Sequence, residues 1–294
     1  MTPEFHLFLP QMRMSLDVIV ERARAGEAGR FGGIALIDHL APPGAPGQPM
    51  YDAMISAAWL AARTDRLKIG HLVLCDAFRH PAVLAQQAVA IDHASGGRFE
   101  LGIGWGSVPA ELETFGVGDT AARARVRRLA ETLDVVKALW AGETVDYDGE
   151  YHHITGGSQR PLPLTRIPIL IGGAGPRTME LVAAHADWWN LPIYALDRLE
   201  ELKPQSGQAR TSIQVMVAYI PSEAEREQVT EISTRRFGTM GAGPLIATAP
   251  ELVDHFASLA ERGVDRFYVW FTDFANPETL AAFSENVIGA MAPG

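Results

Sequence analysis

Residues 1–294 read as a single domain of the α/β class, a (β/α)8 barrel, on three observations. Eight short apolar runs recur along the chain, each followed by a segment of helical periodicity. The runs are apolar on both faces, as strands of a parallel sheet covered by helices must be. No linker or low-complexity stretch divides the chain, so eight βα units of this length close most simply into one barrel. An open doubly wound sheet with extra elements is the alternative arrangement.

The elements follow in order. FHLFLP (5–10) is the first strand, and SLDVIVERARAGEAG (15–29) its helix, with Ser15 as the cap and Leu16, Ile19, Val20 and Ala23 inward. GGIALIDH (32–39) is the second strand, followed by YDAMISAAWLAART (51–64) with Met54, Ile55, Ala58 and Leu60 inward. RLKIGHLVLC (66–75) is the third, and its helix, 80–97, opens on Pro81 and closes on glycine. RFELGIG (98–104) is the fourth, and residues 120–142 form the longest helix. Asp148-Gly149 between two alternating runs signals a hairpin. Strands at 167–173, 187–193, 211–220 and 264–273 complete the set, with helices at 176–186, near 195–203, at 222–237, 249–262 and 276–291.

Composition narrows the function. Formal net charge is −10, which argues against nucleic acid or an anionic membrane as a partner. Cys75 is the single cysteine and cannot close an internal disulfide, so a reducing cytoplasm is the expected compartment. The first residues, MTPEFHLFLPQMRMS, lack the basic and apolar regions of a signal peptide. Only Lys68, Lys137 and Lys203 are lysines, and none falls at the C-terminal end of a strand, which excludes a Schiff-base aldolase. The nine histidines contain no His-x-His or His-x-x-x-His pair, so no metal site is expected.

In such a barrel the chemistry lies at the C-terminal ends of the strands. Those ends carry Asp38 and His39 after strand 2, Gly102, Gly104, Gly106 and Ser107 after strand 4, and Gly172, Gly173, Ala174 and Gly175 after strand 5. GIGWGS lacks the last glycine of the dinucleotide fingerprint. ILIGGAGPRTM is strand, glycine turn and helix start, whose free N–H groups favour an anion such as phosphate, with Arg177 adding a charge. Two bared strand ends would hold a flat, phosphate-bearing cofactor. The plain alternatives are tight βα turns for the glycines, a structural role for His39, core positions for Trp188 and Trp189, a solvated face for the arginines of 120–142, and an inert Cys75.

The residues also carry a resemblance. FLPQ, IDH at strand 2, RHPAVLAQQAVAIDHASGGRFELGIGWG, ELETFGV, LDVVKALWAGETVDYDGEYHHI, PILIGGAGPRTMELVAAHADWWN and GVDRFYVWF occur in this order over nearly the whole length. The chain resembles the bacterial luciferase-like superfamily of flavin- and deazaflavin-dependent monooxygenases and reductases. The resemblance implies a (β/α)8 barrel, a homodimer and a small-molecule substrate. It implies coenzyme F420, with FMN as the alternative, lying across the mouth. Asp38 and His39 look like the acid–histidine pair of F420-dependent members, with Asp38 on the deazaflavin and His39 in acid–base chemistry. The strand 4 glycines, Gly104 and Gly106, would clear room for cofactor or substrate, and residues 172–175 would face the phosphate. A non-proline cis peptide is implied at Leu72–Val73, backing the cofactor.

One departure bears on substrate. Sugar-phosphate dehydrogenases of this superfamily carry a catalytic glutamate after the strand 4 glycines and hold the phosphate with lysines. Here Ser107 takes that place, Glu111 is the nearest carboxylate, and lysines are nearly absent. Trp105, Phe78 and Trp189 point instead to an apolar, carbonyl-bearing substrate. The expected function is F420-dependent hydride transfer to or from such a substrate. The alternatives are an FMN-dependent monooxygenase using O2 and a cofactor-binding protein without turnover.

Overall fold

The apolar runs form strands because each finds a parallel neighbour on both sides and a helix over its outer face. The computed structural model describes residues 2–45, 47–241 and 243–292. The barrel strands are β1 (Glu4–Phe8), β2 (Gly33–Leu36), β3 (Lys68–His71), β4 (Leu101–Gly104), β5 (Ile169–Gly172), β6 (Trp188–Leu191), β7 (Arg210–Ile220) and β8 (Arg266–Phe271). Pairing runs β3-β2-β1-β8-β7-β6-β5-β4, all parallel. The third strand is interrupted at Leu72–Val73, a cis peptide as the resemblance implies, and resumes at Leu74–Cys75. The ring closes where Ile69 pairs with Phe99 and Leu74 and Cys75 pair with Ile103 and Gly104.

The helices are α1 (Leu16–Ala28), α2 (Ala53–Ala61), α3 (Pro81–Ser95), α4 (Pro109–Phe115), α5 (Ala122–Ala141), α6 (Pro176–His185), α7 (Leu199–Leu202), α8 (Arg226–Phe237), α9 (Ala249–Glu261) and α10 (Pro277–Phe283). Their ends follow local chemistry. The Ser15 and Asp52 side chains accept from Val18 N and Ile55 N at the starts of α1 and α2, and α3 ends on Gly96 in the left-handed region. Two elements escape the sequence pattern. α4 interrupts the stretch between the fourth strand and the long helix, and a short strand, Leu245–Thr248, pairs with β7. Ile55, expected inward, is 66% exposed. The hairpin is present as Val145–Asp148 against His153–Gly157.

One apolar cluster fills the space between sheet and helices, and a smaller one, with Phe8, Ile37, Leu170, Trp188 and Tyr268, fills the barrel interior. The N-terminal end of the barrel is closed by charge. Arg266, fully buried, is gripped by Glu100 at 2.6 and 3.1 Å and by Glu4 at 2.6 Å, and lies 3.6 Å over the Trp188 ring. Each guanidinium N–H in this plug finds an acceptor, which is what makes burying the charge tolerable. The opposite end is left open.

Candidate active site

Two adjoining cavities occupy the C-terminal mouth, of about 480 and 330 Å3. They share Ile37, His39, Leu72 and Gln214, so they are two lobes of one site. His39 and Gln214 are the polar side chains among the four.

His39 is held from two directions. Its Nδ1 lies 2.9 Å from Oε2 of Glu111. The other Glu111 oxygen, Oε1, accepts from Leu40 N at 2.7 Å and Ala41 N at 3.1 Å. Glu111 therefore binds both the ring and the backbone just beyond it. With Nδ1 facing a carboxylate, the neutral imidazole carries its proton there and Nε2 is the nitrogen free to accept or return one. On the other side, Asp38 takes a two-pronged ion pair from Arg79, at 2.6 and 3.0 Å, and a hydrogen bond from Cys75 N at 2.9 Å. These contacts engage both Asp38 oxygens and fix the chain immediately before His39. Asp38 and Glu111, expected as cofactor contact and catalytic carboxylate, both line the smaller lobe beside His39.

The smaller lobe is lined by Leu72, Val73, Gly104, Trp105, Gly106, Gly172 and Gly173 among others. The glycines differ in what they make room for. A Cβ on Gly102 would lie 1.7 Å from the His71 carbonyl oxygen, and one on Gly104 2.8 Å from Val73 Cγ2. Gly106 has φ +86°, and a Cβ there would meet Cys75 Sγ at 3.0 Å. The fourth strand is thus bared for its neighbour across the Leu72–Val73 interruption. Gly104 and Gly106 also line the smaller lobe. Gly172 is different: its nearest neighbour to a Cβ is Val73 Cγ1, at 3.7 Å, so the space beside it belongs to the lobe.

Other predicted residues fall elsewhere. Arg177 is exposed and paired with Glu180 at 2.9 Å, a surface contact within α6, and does not line the lobe. Ala174 is buried and Gly175 is the N-cap of α6; neither lines the lobe. Gly175 makes no side-chain cap, so the Arg177 and Thr178 N–H groups at the helix start depend on water or a ligand anion. Trp189 is fully buried and donates to Gly173 O at 2.8 Å, so it braces the turn from behind. Phe78 lines neither lobe; Trp105 lines the smaller one.

Of the arginines of α5, Arg123 and Arg127 are exposed as expected, but Arg125 and Arg128 are not part of a solvated face. Arg125 is buried, donates to Gly106 O at 2.9 Å and lies 4.8 Å over the Trp105 ring. Arg128 pairs with the buried Asp76. Burial pushes the Asp76 carboxyl up to about 6 against the opposing pull of Arg128, and pushes the Cys75 thiol up to about 12, which keeps it protonated and inert. Arg79 and Gln214 are the site residues the sequence reading missed. The partner of Arg79 is 41 residues away, and Gln214 lies inside a strand with no motif around it.

A closed parallel barrel whose mouth holds a two-lobed pocket with a carboxylate-oriented histidine at the junction defines the class: a (β/α)8 barrel with an enzyme-type site at its C-terminal end. The chain belongs to the luciferase-like monooxygenase family, whose sequence profile matches residues 2–238. It is 32% identical over 235 residues to the F420-dependent glucose-6-phosphate dehydrogenase of Microbacterium testaceum, covering 75% of this chain and 67% of that one. The enzyme of the same description from Nocardia farcinica is 39% identical over 139 residues, 46% of this chain and 40% of its own length. Among solved structures, an F420-dependent secondary alcohol dehydrogenase in complex with an F420–acetone adduct superposes with a TM-score of 0.82 at 17% identity, over the full length of both chains, a likeness of fold.

Proposed function

We propose that the protein is an F420-dependent oxidoreductase moving a hydride between the deazaflavin and an organic substrate, with His39 as the acid–base group. The observation that carries this reading is the position of His39: Nδ1 on Glu111, Nε2 unengaged by the described residues, at the junction of the two lobes. The F420 dependence of the relatives named above supports the cofactor.

The smaller lobe fits a flat ring system with a phosphate tail. Val73 and the open face of Gly172 would hold the ring, and the first turn of α6 the phosphate. When bound, F420 supplies two-electron hydride chemistry without O2. The chain's own residues do the rest. Glu111 holds the His39 ring in one tautomer, so that Nε2 takes the proton of a substrate hydroxyl on oxidation or returns one to a carbonyl oxygen on reduction. Asp38, clamped by Arg79, keeps the segment bearing His39 in place. The apolar walls of the larger lobe exclude water from the junction.

A homodimer in a reducing cytoplasm belongs to the same reading. Ile55 on α2 and Val83 on α3 are large exposed apolar side chains on neighbouring helices, and they support a subunit contact there.

The test is turnover of F420 with secondary alcohols, or of reduced F420 with ketones and enones, by wild type and His39→Ala. The expected result is turnover in the wild type alone with cofactor affinity retained by both. Equal turnover in the two would remove His39 from the chemistry.

A further inference from the structure

The larger lobe carries a pattern that the hydride-transfer reading leaves unused. Its walls are aromatic and aliphatic: Phe8 and Phe237 pack on Trp270 at 5.5 and 5.6 Å, and Phe274 lies beside Phe237 at 6.0 Å. Its polar side chains are four, in two pairs. His39 and Gln214 stand at the junction with the smaller lobe, and Arg13 and Arg236 belong to the larger lobe only. No carboxylate lines it among the described residues, and neither arginine has an ion-pair partner within 4.0 Å there. In a chain of net charge −10 that is an electropositive opening in an acidic surface.

The backbone marks the same place. Arg13, Phe274 and Ala275 are the non-glycine residues with φ near +60° among those described, and all three line this lobe. Left-handed backbone at non-glycine residues is costly and gathers where a site has been shaped for a ligand. The Arg236 guanidinium sits 5.8 Å from the centre of the Phe274 ring, so the strained turn also supports the second arginine.

We infer that the larger lobe takes an organic anion: an apolar, carbonyl- or hydroxyl-bearing molecule with a carboxylate or sulfonate at its far end. Arg13 and Arg236 hold the anion, the aromatic wall takes the body, and His39 and Gln214 meet the oxygen that is to react. Gln214 contributes an amide N–H to that oxygen alongside the His39 Nε2, which positions it without adding a second titrating group. This assignment rests on the reading that the larger lobe is the substrate side of the site. A phosphorylated sugar suits the arginines but not the walls, where His39 and Gln214 are the only uncharged polar side chains apart from the Trp270 indole among the described residues, too few for a ring of hydroxyls.

The experiment needs no cofactor, so it stands apart from the outcome of F420 binding. The full-length protein is titrated with 8-anilino-1-naphthalenesulfonate and, in parallel, with N-phenyl-1-naphthylamine, the same aryl frame without the sulfonate. The sulfonate is expected to bind about tenfold tighter, by an amount that shrinks with salt. Arg13→Gln and Arg236→Gln should each weaken the sulfonate about fivefold and leave the neutral probe unchanged, while Arg177→Gln changes neither. Both arginines are exposed, and circular dichroism on each variant confirms that the fold is retained. Equal affinity for the two probes, or sulfonate binding unaltered in both arginine variants, would overturn the assignment of an anion. Displacement of the sulfonate by glucose 6-phosphate at comparable concentration would overturn the apolar half of it.

Discussion

His39 Nδ1 and Glu111 Oε2 lie 2.9 Å apart although 72 residues separate them in the chain. One comes from the end of β2 and the other from α4, beyond the end of β4. The same carboxylate, through Oε1, also accepts from two backbone N–H groups following His39, so a single side chain ties the imidazole to the loop that carries it.

That geometry separates two roles. His39→Ala should lower kcat by about 10²–10⁴-fold, the usual range for a lost general acid–base, with the cofactor Kd unchanged. Glu111→Ala should lower kcat by about 10–100-fold and leave KM nearly as it was, because the ring is still present but no longer held. Glu111→Gln retains an acceptor for the Leu40 and Ala41 N–H groups and should recover part of the loss. Steady-state kinetics on the three variants decides. A Glu111→Ala enzyme as impaired as His39→Ala would mean that the carboxylate takes part in the chemistry directly.

The glycines predict a contrast. Gly102→Ala would drive a Cβ into the His71 carbonyl and should cost about 3 kcal/mol or more, or prevent folding. Gly172→Ala meets nothing closer than 3.7 Å and should change stability by about 0.5 kcal/mol or less. It should nonetheless weaken the cofactor at least about tenfold, since the methyl stands where the ring would lie. Thermal unfolding and a cofactor titration on both variants check the pair.

The barrel itself was legible because eight apolar runs and their helices are local patterns, and periodicity reads local patterns well. His39 and Glu111 were legible as types of residue near strand ends. Their mutual contact was not, since α4 is too short to announce itself and nothing in the sequence measures a distance across the mouth. The strand 4 glycines stand out in the sequence, but what crowds them does not: the His71 carbonyl at Gly102, the Val73 side chain at Gly104 and the Cys75 sulfur at Gly106 come from the adjacent strand, and pairing is a non-local fact. Arg177 pairs with Glu180 on the surface of α6, a contact that a basic residue in a helix's first turn does not announce in sequence. Arg125 and Arg128 misled as part of a charged stripe, since both pack inward, against Trp105 and Asp76.

The closed end of the barrel carries a stability prediction. Removing Arg266 leaves Glu100 buried without its partner, so Arg266→Met should destabilise the fold by about 3–5 kcal/mol. Replacing the charges together, as Arg266→Met with Glu100→Leu, should recover much of that loss, because no uncompensated charge remains. Urea unfolding of the single and double variants measures both. A single variant within about 1 kcal/mol of wild type would show that the plug is dispensable.

Acid should weaken the fold in a definite window. Burial pushes the His6 and His71 imidazoles down to about 4, so both are neutral in the fold. In the unfolded chain they titrate near about 6.5. Between those values the unfolded chain binds more protons, and stability falls as pH falls, by up to about 3 kcal/mol per histidine. Asp76, pushed up to about 6, acts with the opposite sign: it holds a proton in the fold that the unfolded chain has released, and that contribution is lost as pH rises through about 6. Two histidines outweigh one carboxyl, so unfolding midpoints should drop from about pH 7 to about pH 5. His71→Asn should flatten the dependence, and a slope unchanged in that variant would exclude His71 as its source.

The most direct test of the account is an equilibrium titration of the purified protein with F420 and with FMN, followed by fluorescence, in wild type and in Gly172→Ala. F420 is expected to bind at about micromolar Kd, FMN to bind weaker by at least about tenfold, and F420 affinity to fall on the Gly172 substitution. FMN binding tighter than F420, or F420 affinity identical in the two proteins, would contradict the account.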